Sequence, residues 1–378
     1  MMKIIYIITG LSSGGAQAML YKLLSRMDRE RFNPVVISLI DRGIWGGRIV
    51  SLGVPVYTIN MKAGQPTPAA MWRAIDLVRQ LKPDLIQGWM YHGNLVAQVV
   101  RFFVFARISV LWNVRHSLDS LELEKPGTAI VIKLCANFSK FPTKIIYNSQ
   151  NSARQHEKIG YSADKTCVIP NGFDTEEFTP SIEARLSIRS ELGVSENTLL
   201  IGLIGRYHPI KDHHNFLQAA ALLLKNYPQV KFILAGDQVD WENQILSQLI
   251  HELELANQIY LLGERHDMPR LTAALDIACS ASYGEGFPNV IGEAMSCGVP
   301  CVVTDVGDSG WIVGNTGKVV PPKNPQKLAK AWEAMIDIGT EGREALGKVA
   351  RTRVIDLFSL NSVVAQYESL YDDVFASN

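Results

Sequence analysis

Apolar runs of strand length alternate with stretches of helical period from one end of the chain to the other. That alternation yields parallel sheets covered by helices on both faces. KIIYII (3–8) leads into a turn, after which Ala16, Met19, Leu20, Leu23, Leu24 and Met27 recur every three or four residues and mark one face of a helix. PVVISLI (34–40), VPVYTI (54–59), DLIQGWM (84–90), SVLWNV (109–114), KIIYNS (144–149) and KTCVIP (165–170) read as further strands. PAAMWRAIDLVRQL (68–81) and GTAIVIKLCANF (127–138) are among the helices between them. One doubly wound domain is complete by about residue 170.

PNGFDTEEFTP (170–180) breaks the alternation with two prolines, a glycine and three acids, as a linker does. A second series follows at once. LLIGLIG (199–205), QVKFILAG (229–236), QIYLLG (258–263), DIACSAS (276–282) and VPCVVTD (299–305) alternate with helices such as HNFLQAAALLLKNY (214–227) and NVIGEAMSCG (289–298). After GKVVPP (317–322) come three helical stretches, the last at SVVAQYESLYDDVF (362–375). The expected fold class is α/β, with two Rossmann-like doubly wound domains facing a central cleft at the C-terminal ends of their sheets. A chain of 378 residues is long enough for two such cores.

Composition agrees, with 47% hydrophobic and 20% charged residues and no low-complexity block. The net charge of zero argues against nucleic acid, yet the halves differ. Residues 1–170 carry 21 Lys and Arg against 10 Asp and Glu, whereas the remainder carries 16 against 27. Either the basic half meets something anionic, a membrane surface or a phosphorylated acceptor, or the two halves attract each other; the sequence leaves both open. Cys135, Cys167, Cys279, Cys297 and Cys301 lack paired spacing, which points to a reducing cytoplasm. The first apolar run is too short for a signal-peptide core and reads as a strand. LVAQVVRFFVFARISVLW (95–112) comes nearest to a membrane span but is interrupted by Arg101 and Arg107. Buried helix plus strand is the default reading there, with interfacial membrane contact as the alternative.

The turn TGLSSGGA (9–16) spells the start of the TGxxxGxG cofactor turn of short-chain dehydrogenases, and Tyr161 and Lys165 supply their YxxxK. Asp41 even ends the second strand, where an acid can hold a ribose. The context argues otherwise. Gly160 precedes Tyr161 and a strand starts at Lys165, so the pair falls in a turn instead of one helix turn apart. Ala16 replaces the last glycine, and the second half of the chain would go unused.

EGFPNVIGEAMSCGVPCVVTD (285–305) is more specific, because Glu285 and Glu293 stand either side of seven residues. This string resembles the E-x7-E signature of the family 4 retaining glycosyltransferases, two-domain enzymes of the GT-B fold with a nucleotide-sugar donor. Gly14-Gly15, Gly205-Arg206 with Lys211 five residues on, and NGFD after the last strand of the first half match in the same order. The resemblance covers nearly the whole chain. It implies an acceptor-binding domain at 1–170, a linker and donor-binding domain at 171–357, and a helix at 358–378 that crosses back to the first domain.

The expected chemistry follows. Cationic groups and helix N-termini aimed at a leaving diphosphate lower the barrier, and Arg206 and Lys211 at a strand's C-terminal end suit that task. Gly14 and Gly15 let backbone N–H groups approach phosphate and sugar. Gly286, Phe287, Pro288, Asn289 and Val290 form the turn and helix start toward the donor. The resemblance assigns Glu293 to ribose hydroxyls, Glu285 to hydroxyls of the transferred sugar and His116 to a donor-sugar contact, making Glu285, His116, Arg206 and Lys211 the catalytic candidates. Arg115, His116 and Ser117 are acceptor-side candidates, and the loop 117–125 that follows is expected to meet the acceptor.

No D-x-D or H-E-x-x-H occurs, so neither a metal nor another cofactor is expected. The reaction implied by the resemblance is same-face substitution, with Glu285 as a covalent nucleophile the alternative. The expected function is transfer of a hexose or N-acetylhexosamine, from UDP by preference, to a glycan or lipid-linked acceptor in bacterial surface polysaccharide synthesis. The expected location is the cytoplasm, peripheral on the inner membrane face. A GT-B nucleotide-sugar epimerase, a non-catalytic sugar-nucleotide binder and, remotely, the dehydrogenase are the rival readings.

Overall fold

The computed structural model describes every residue except 13, 63–66, 105–107, 119 and 378. Arg107 and, within the 117–125 loop, Asp119 lie outside the described residues. In chain order the strands are β1 (Met2–Ile8), β2 (Phe32–Ser38), β3 (Val56–Thr58), β4 (Leu85–Trp89), β5 (Ser109–Val114), β6 (Lys144–Tyr147) and β7 (Thr166–Val168). They are followed by β8 (Leu200–Ile204), β9 (Lys231–Ala235), β10 (Ile259–Leu261), β11 (Ile277–Ser280), β12 (Cys301–Thr304) and β13 (Lys318–Val320). Each central strand is an almost unbroken apolar run because helices cover both of its faces.

The chain divides into two compact units. Met1–Gly172 with Leu360–Asn378 forms one, and Phe173–Ser359 the other. The first holds a seven-stranded parallel sheet in the order β3-β2-β1-β4-β5-β6-β7, the second a six-stranded one in the order β10-β9-β8-β11-β12-β13. Both are doubly wound, with the strand order reversing between β1 and β4 in the first unit and between β8 and β11 in the second. Ligands of such sheets bind at that reversal, outside the C-terminal strand ends.

Local signals set the helix ends. Thr67 accepts from the Ala70 N–H at 3.2 Å and Pro68 follows at the first helical position, so the helix Pro68–Leu81 starts where the pattern predicts. Lys82 at φ 48° ends it in the left-handed region.

The last helix, Leu360–Ala376, belongs to the first unit. Its buried face (Leu360, Val363, Val364, Tyr367, Tyr371, Val374) joins the cluster containing Tyr6, Phe32 and Trp89. Hydroxyls satisfy its polar points: Tyr371 donates to Gln87 Oε1 at 2.6 Å, and Tyr367 accepts from Asn113 Nδ2 at 2.7 Å. Helix and sheet are thus locked by hydrogen bonds as well as by area.

Candidate functional site

In the second unit, the loops after β8 and β11 flank the strand reversal, and they carry the sequence-expected cations and acid. Arg206 follows β8 by two residues; its side chain is exposed and has no hydrogen bond or ion pair among the described residues. Lys211 closes a short 3-10 turn (Pro209–Lys211) and points back, so that its Nζ lies 2.6 Å from Glu285 Oε1 in the loop after β11. Ser282 donates its hydroxyl to the same Oε1 at 2.7 Å, which leaves Oε2 without a partner among the described residues. The Tyr283 N–H donates to the Ile210 carbonyl at 3.0 Å and ties the two loops together. One unit thereby gathers a free guanidinium, a paired ammonium and a carboxylate with an open oxygen, the groups needed to hold a diphosphate beside a polyol.

The backbone beneath these groups is held by residues that the sequence reading missed. Gly307, at φ 55°, lies so close to the Glu285–Gly286 peptide that a side chain would strike it, and the Asp308 N–H donates to the Gly286 carbonyl at 3.0 Å. Gly236 backs the Gly205–Arg206 peptide in the same way. A glycine just past a strand end was the available signal, since both follow β-runs in the sequence. His213, in the first turn of the helix His213–Leu224, lies buried with no side-chain hydrogen bond among the described residues, and its ring centroid is 5.2 Å from that of Tyr207. Burial, then Lys211 nearby, pushes its pKa down to about 4, so it is neutral at physiological pH.

Downstream, the helix Asn289–Ser296 begins directly after Pro288. Glu293 is half-buried on it, Val290 is half-buried and Asn289 exposed. Phe287 offers its backbone alone. Its ring is buried and stacks on Phe173 at 5.9 Å, with Trp311 at 6.0 Å and Phe358 at 5.9 Å, so only its main chain remains for a donor. The physical reason is that an aromatic side chain gains more from that core than from the surface.

In the first unit, the Gly10–Gly15 turn follows β1. The Leu11 N–H donates to Asp41 Oδ1 at 3.2 Å, so the acid considered for a ribose braces the turn. Gly14 has φ 141° and caps the helix Gly15–Arg26, and both glycines are exposed. After β5, His116 Nε2 lies 2.7 Å from Glu124 Oε1, and the ring sits edge-on to Tyr91 at 6.2 Å. Behind it, Tyr91 donates its hydroxyl to His156 Nε2 at 2.8 Å while His156 Nδ1–H donates to the Ser152 carbonyl at 2.7 Å. Burial pushes the His156 pKa down to about 4, which fixes the neutral tautomer. Ser117 is half-buried beside this group.

Arg115, expected on the acceptor side, has another occupation. It donates to Tyr367 Oη at 2.9 Å and to Asn171 Oδ1, and its guanidinium lies 5.5 Å from the centre of the Trp89 ring. A planar fork with a stacking face is well suited to that anchoring role. The dehydrogenase pair is also accounted for. Tyr161 is buried, donates to the Ile132 carbonyl at 3.2 Å and precedes a 3-10 turn (Ala163–Lys165), so it shares no helix with Lys165. The five cysteines are free.

Two family models match the chain: Glycosyltransferase Family 4 over residues 13–177 and Glycosyl transferases group 1 over residues 198–337. A UDP-Gal:alpha-D-GlcNAc-diphosphoundecaprenol alpha-1,3-galactosyltransferase of Escherichia coli is 28% identical over 214 residues, 56% of this chain and 54% of that protein. The chain thus matches about half the length of that relative. The putative glycosyltransferase EpsF of Bacillus subtilis is 24% identical over 321 residues, 80% of this chain and 79% of its own. Among solved structures, Anabaena HepE in complex with UDP aligns with a TM-score of 0.83 at 27% identity, over 98% of this chain and 100% of that one. The same protein in complex with UDP-glucose gives 0.78.

Proposed function

This chain belongs to the family 4-like glycosyltransferases of the GT-B fold, and from that premise we propose a retaining enzyme that uses a UDP-sugar. It moves a hexose or N-acetylhexosamine to a glycan or lipid-linked acceptor in bacterial surface polysaccharide synthesis. The observation that carries this reading is the ion pair of Lys211 with Glu285 at the strand reversal of the second sheet, with exposed Arg206 just past the end of β8. A uridine donor is supported by the 27% identical Anabaena protein, whose structures hold UDP and UDP-glucose. A lipid-linked acceptor is supported by the E. coli relative, named for a diphosphoundecaprenol-linked sugar.

In this reading the second unit binds the donor and the first binds the acceptor. Arg206 and Lys211 meet the charge that builds on the β-phosphate as the bond to the anomeric carbon breaks. Glu285 turns its open Oε2 to sugar hydroxyls, and its pairing with Lys211 keeps a second anion tolerable beside the diphosphate. Glu293 takes the ribose diol. The backbone of Gly14 and Gly15 contacts phosphate and sugar, and His116, oriented by Glu124, contacts the sugar. The acceptor oxygen bonds to the anomeric carbon on the face that the leaving group vacates. Its proton passes to the departing β-phosphate oxygen. This balance requires no metal, so activity should survive a chelator. Among the described residues no helix is long and apolar enough to cross a membrane; we place the enzyme at the cytoplasmic membrane face through its basic first unit.

NMR of the protein with UDP-glucose, UDP-GlcNAc and GDP-mannose tests the reading, with acceptor or with water in its place. A transferase cleaves the sugar from one uridine donor with its anomeric configuration kept. Lys211→Ala and Arg206→Ala should each lower kcat/KM about ten- to a hundredfold. Full activity in both would sink the site assignment, and release of a new epimer would replace transfer by epimerisation.

A further inference from the structure

Inside the first unit lies an apolar cavity of about 330 Å³ for which the donor chemistry has no use. It is bounded by the helices Pro68–Leu81, Met90–Phe103 and Pro126–Phe138 and by the residues just past β2 and β3, and is partly open to solvent. Twelve of its fourteen described lining residues are apolar; the exceptions are Thr67 and His92. The Thr67 hydroxyl is already occupied by the Ala70 N–H at 3.2 Å, and burial lowers the His92 pKa and favours the neutral ring. Such a wall rejects a sugar, a nucleotide or an ion, because each would leave buried polar groups unpaired. An apolar wall of this size left partly open to water, with Leu134 39% exposed, gains from an apolar occupant that displaces that water.

Its shape and its two ends indicate the occupant. His92, Leu95, Val96 and Val99 line it along a single helix face, a run of eight residues whose seven rises span about 10 Å. At the His92 end the cavity reaches the C-terminal edge of the sheet, where neighbouring Tyr91 packs against His116. At the other end stands Phe138, whose ring is 5.9 Å from Phe141, itself 5.5 Å from Phe102. Phe102 and Phe141 are 53% and 58% exposed, and exposed Lys133 and Lys140 lie on and just after the same helix as Phe138. Exposed aromatic rings among cations are the pattern of a surface that meets anionic lipid.

We propose that this cavity holds one hydrocarbon chain, prenyl or acyl, of a lipid-linked acceptor. The chain enters beside Phe102 and Phe141 and presents its head group at the His92–His116 edge. The proposal rests on the lipid-linked acceptor suggested above, and it adds the place where the chain is gripped. Specificity for chain over head group is the consequence. A sugar acceptor on a long aglycone should be used better than the same sugar on a methyl aglycone, mainly through KM.

The test titrates the intact protein calorimetrically with farnesyl monophosphate and, separately, with UDP. Farnesyl monophosphate should bind, and glycerol phosphate, which has a phosphate head without the chain, should not compete. Ala74→Phe and Val96→Phe, which fill the cavity, should each weaken farnesyl monophosphate at least tenfold while UDP affinity and Tm stay at wild-type values. Should either variant misfold, photolysis of wild type with a diazirine-bearing farnesyl monophosphate should label peptides containing Leu95, Val99, Leu134 or Phe138. Absence of farnesyl binding while UDP binds, undiminished binding by both folded variants, or labels confined elsewhere would each overturn the cavity assignment. Loss of UDP binding in wild type would instead overturn the glycosyltransferase reading of the donor side.

Discussion

Nothing in the protein itself requires a glycine at position 15. A methyl group placed there meets no atom of the described residues within 4 Å, and the residue opens a helix in which alanine is the better former by about 1 kcal/mol. Gly14 differs, because at φ 141° a side chain is strained and would press on the Gln17 amide. Gly15→Ala should therefore leave Tm unchanged or slightly raised while kcat/KM for the UDP-sugar falls about tenfold or more. Melting curves and initial rates on the same preparation read both effects. Unchanged kinetics would remove this turn from the donor site. The residue scale also shows what a sequence conveys. Arg206, Lys211 and Glu285 were legible because strand ends and spacing are written locally. The hydroxyl of Ser282 on Glu285 was not, because which oxygen it serves depends on the path of the loop after β11.

At the scale of elements, the apolar runs located the strands because a strand covered on both faces must be apolar throughout. The helix Gly43–Ser51 carried no such mark. Three of its nine residues are glycine, and Gly43 at φ 44° sits so close to the Leu11–Ser12 backbone that only a bare backbone fits. The anchoring contact of Arg115 was not legible for a related reason: its partner Tyr367 stands 252 residues away on the last helix. That helix depends on a small polar seam, and Tyr367→Phe removes the acceptor for both Asn113 Nδ2 and Arg115. Leaving the buried Asn113 donor unpaired, and half-buried Arg115 with Asn171 alone, should cost about 1–3 kcal/mol. The expected outcome is a melting transition lower by several degrees with the affinity for UDP unaltered. A variant as stable as wild type would show that water or rotation satisfies the seam. A loss of UDP affinity would show that the helix reaches the donor side.

For the whole molecule, the decisive feature is that one unit is discontinuous in sequence. The chain leaves the first unit after Gly172 and returns to it at Leu360, so the last helix completes a core begun more than three hundred residues earlier. The six buried residues of that helix contribute on the order of 10 kcal/mol by burial alone, comparable to the entire stability of an ordinary domain. The second unit, Phe173–Ser359, keeps its own sheet and its own cores without that helix. A chain ending at Ser359 should therefore lose the melting transition of the first unit and all transfer activity. It should still bind UDP, because Arg206, Lys211, Glu285 and Glu293 all lie within Phe173–Ser359. Calorimetry with UDP distinguishes the outcomes. A truncated chain that transfers sugar normally would mean that the helix is dispensable to the first core. One that is folded in the second unit yet blind to UDP would mean that the donor grip is not contained in that unit. Its acidic balance makes the point sharper: 24 acids against 16 bases over residues 173–359 would repel a diphosphate. Binding must then come from the local field of Arg206 and Lys211, and UDP affinity should weaken with added salt in proportion to those two charges.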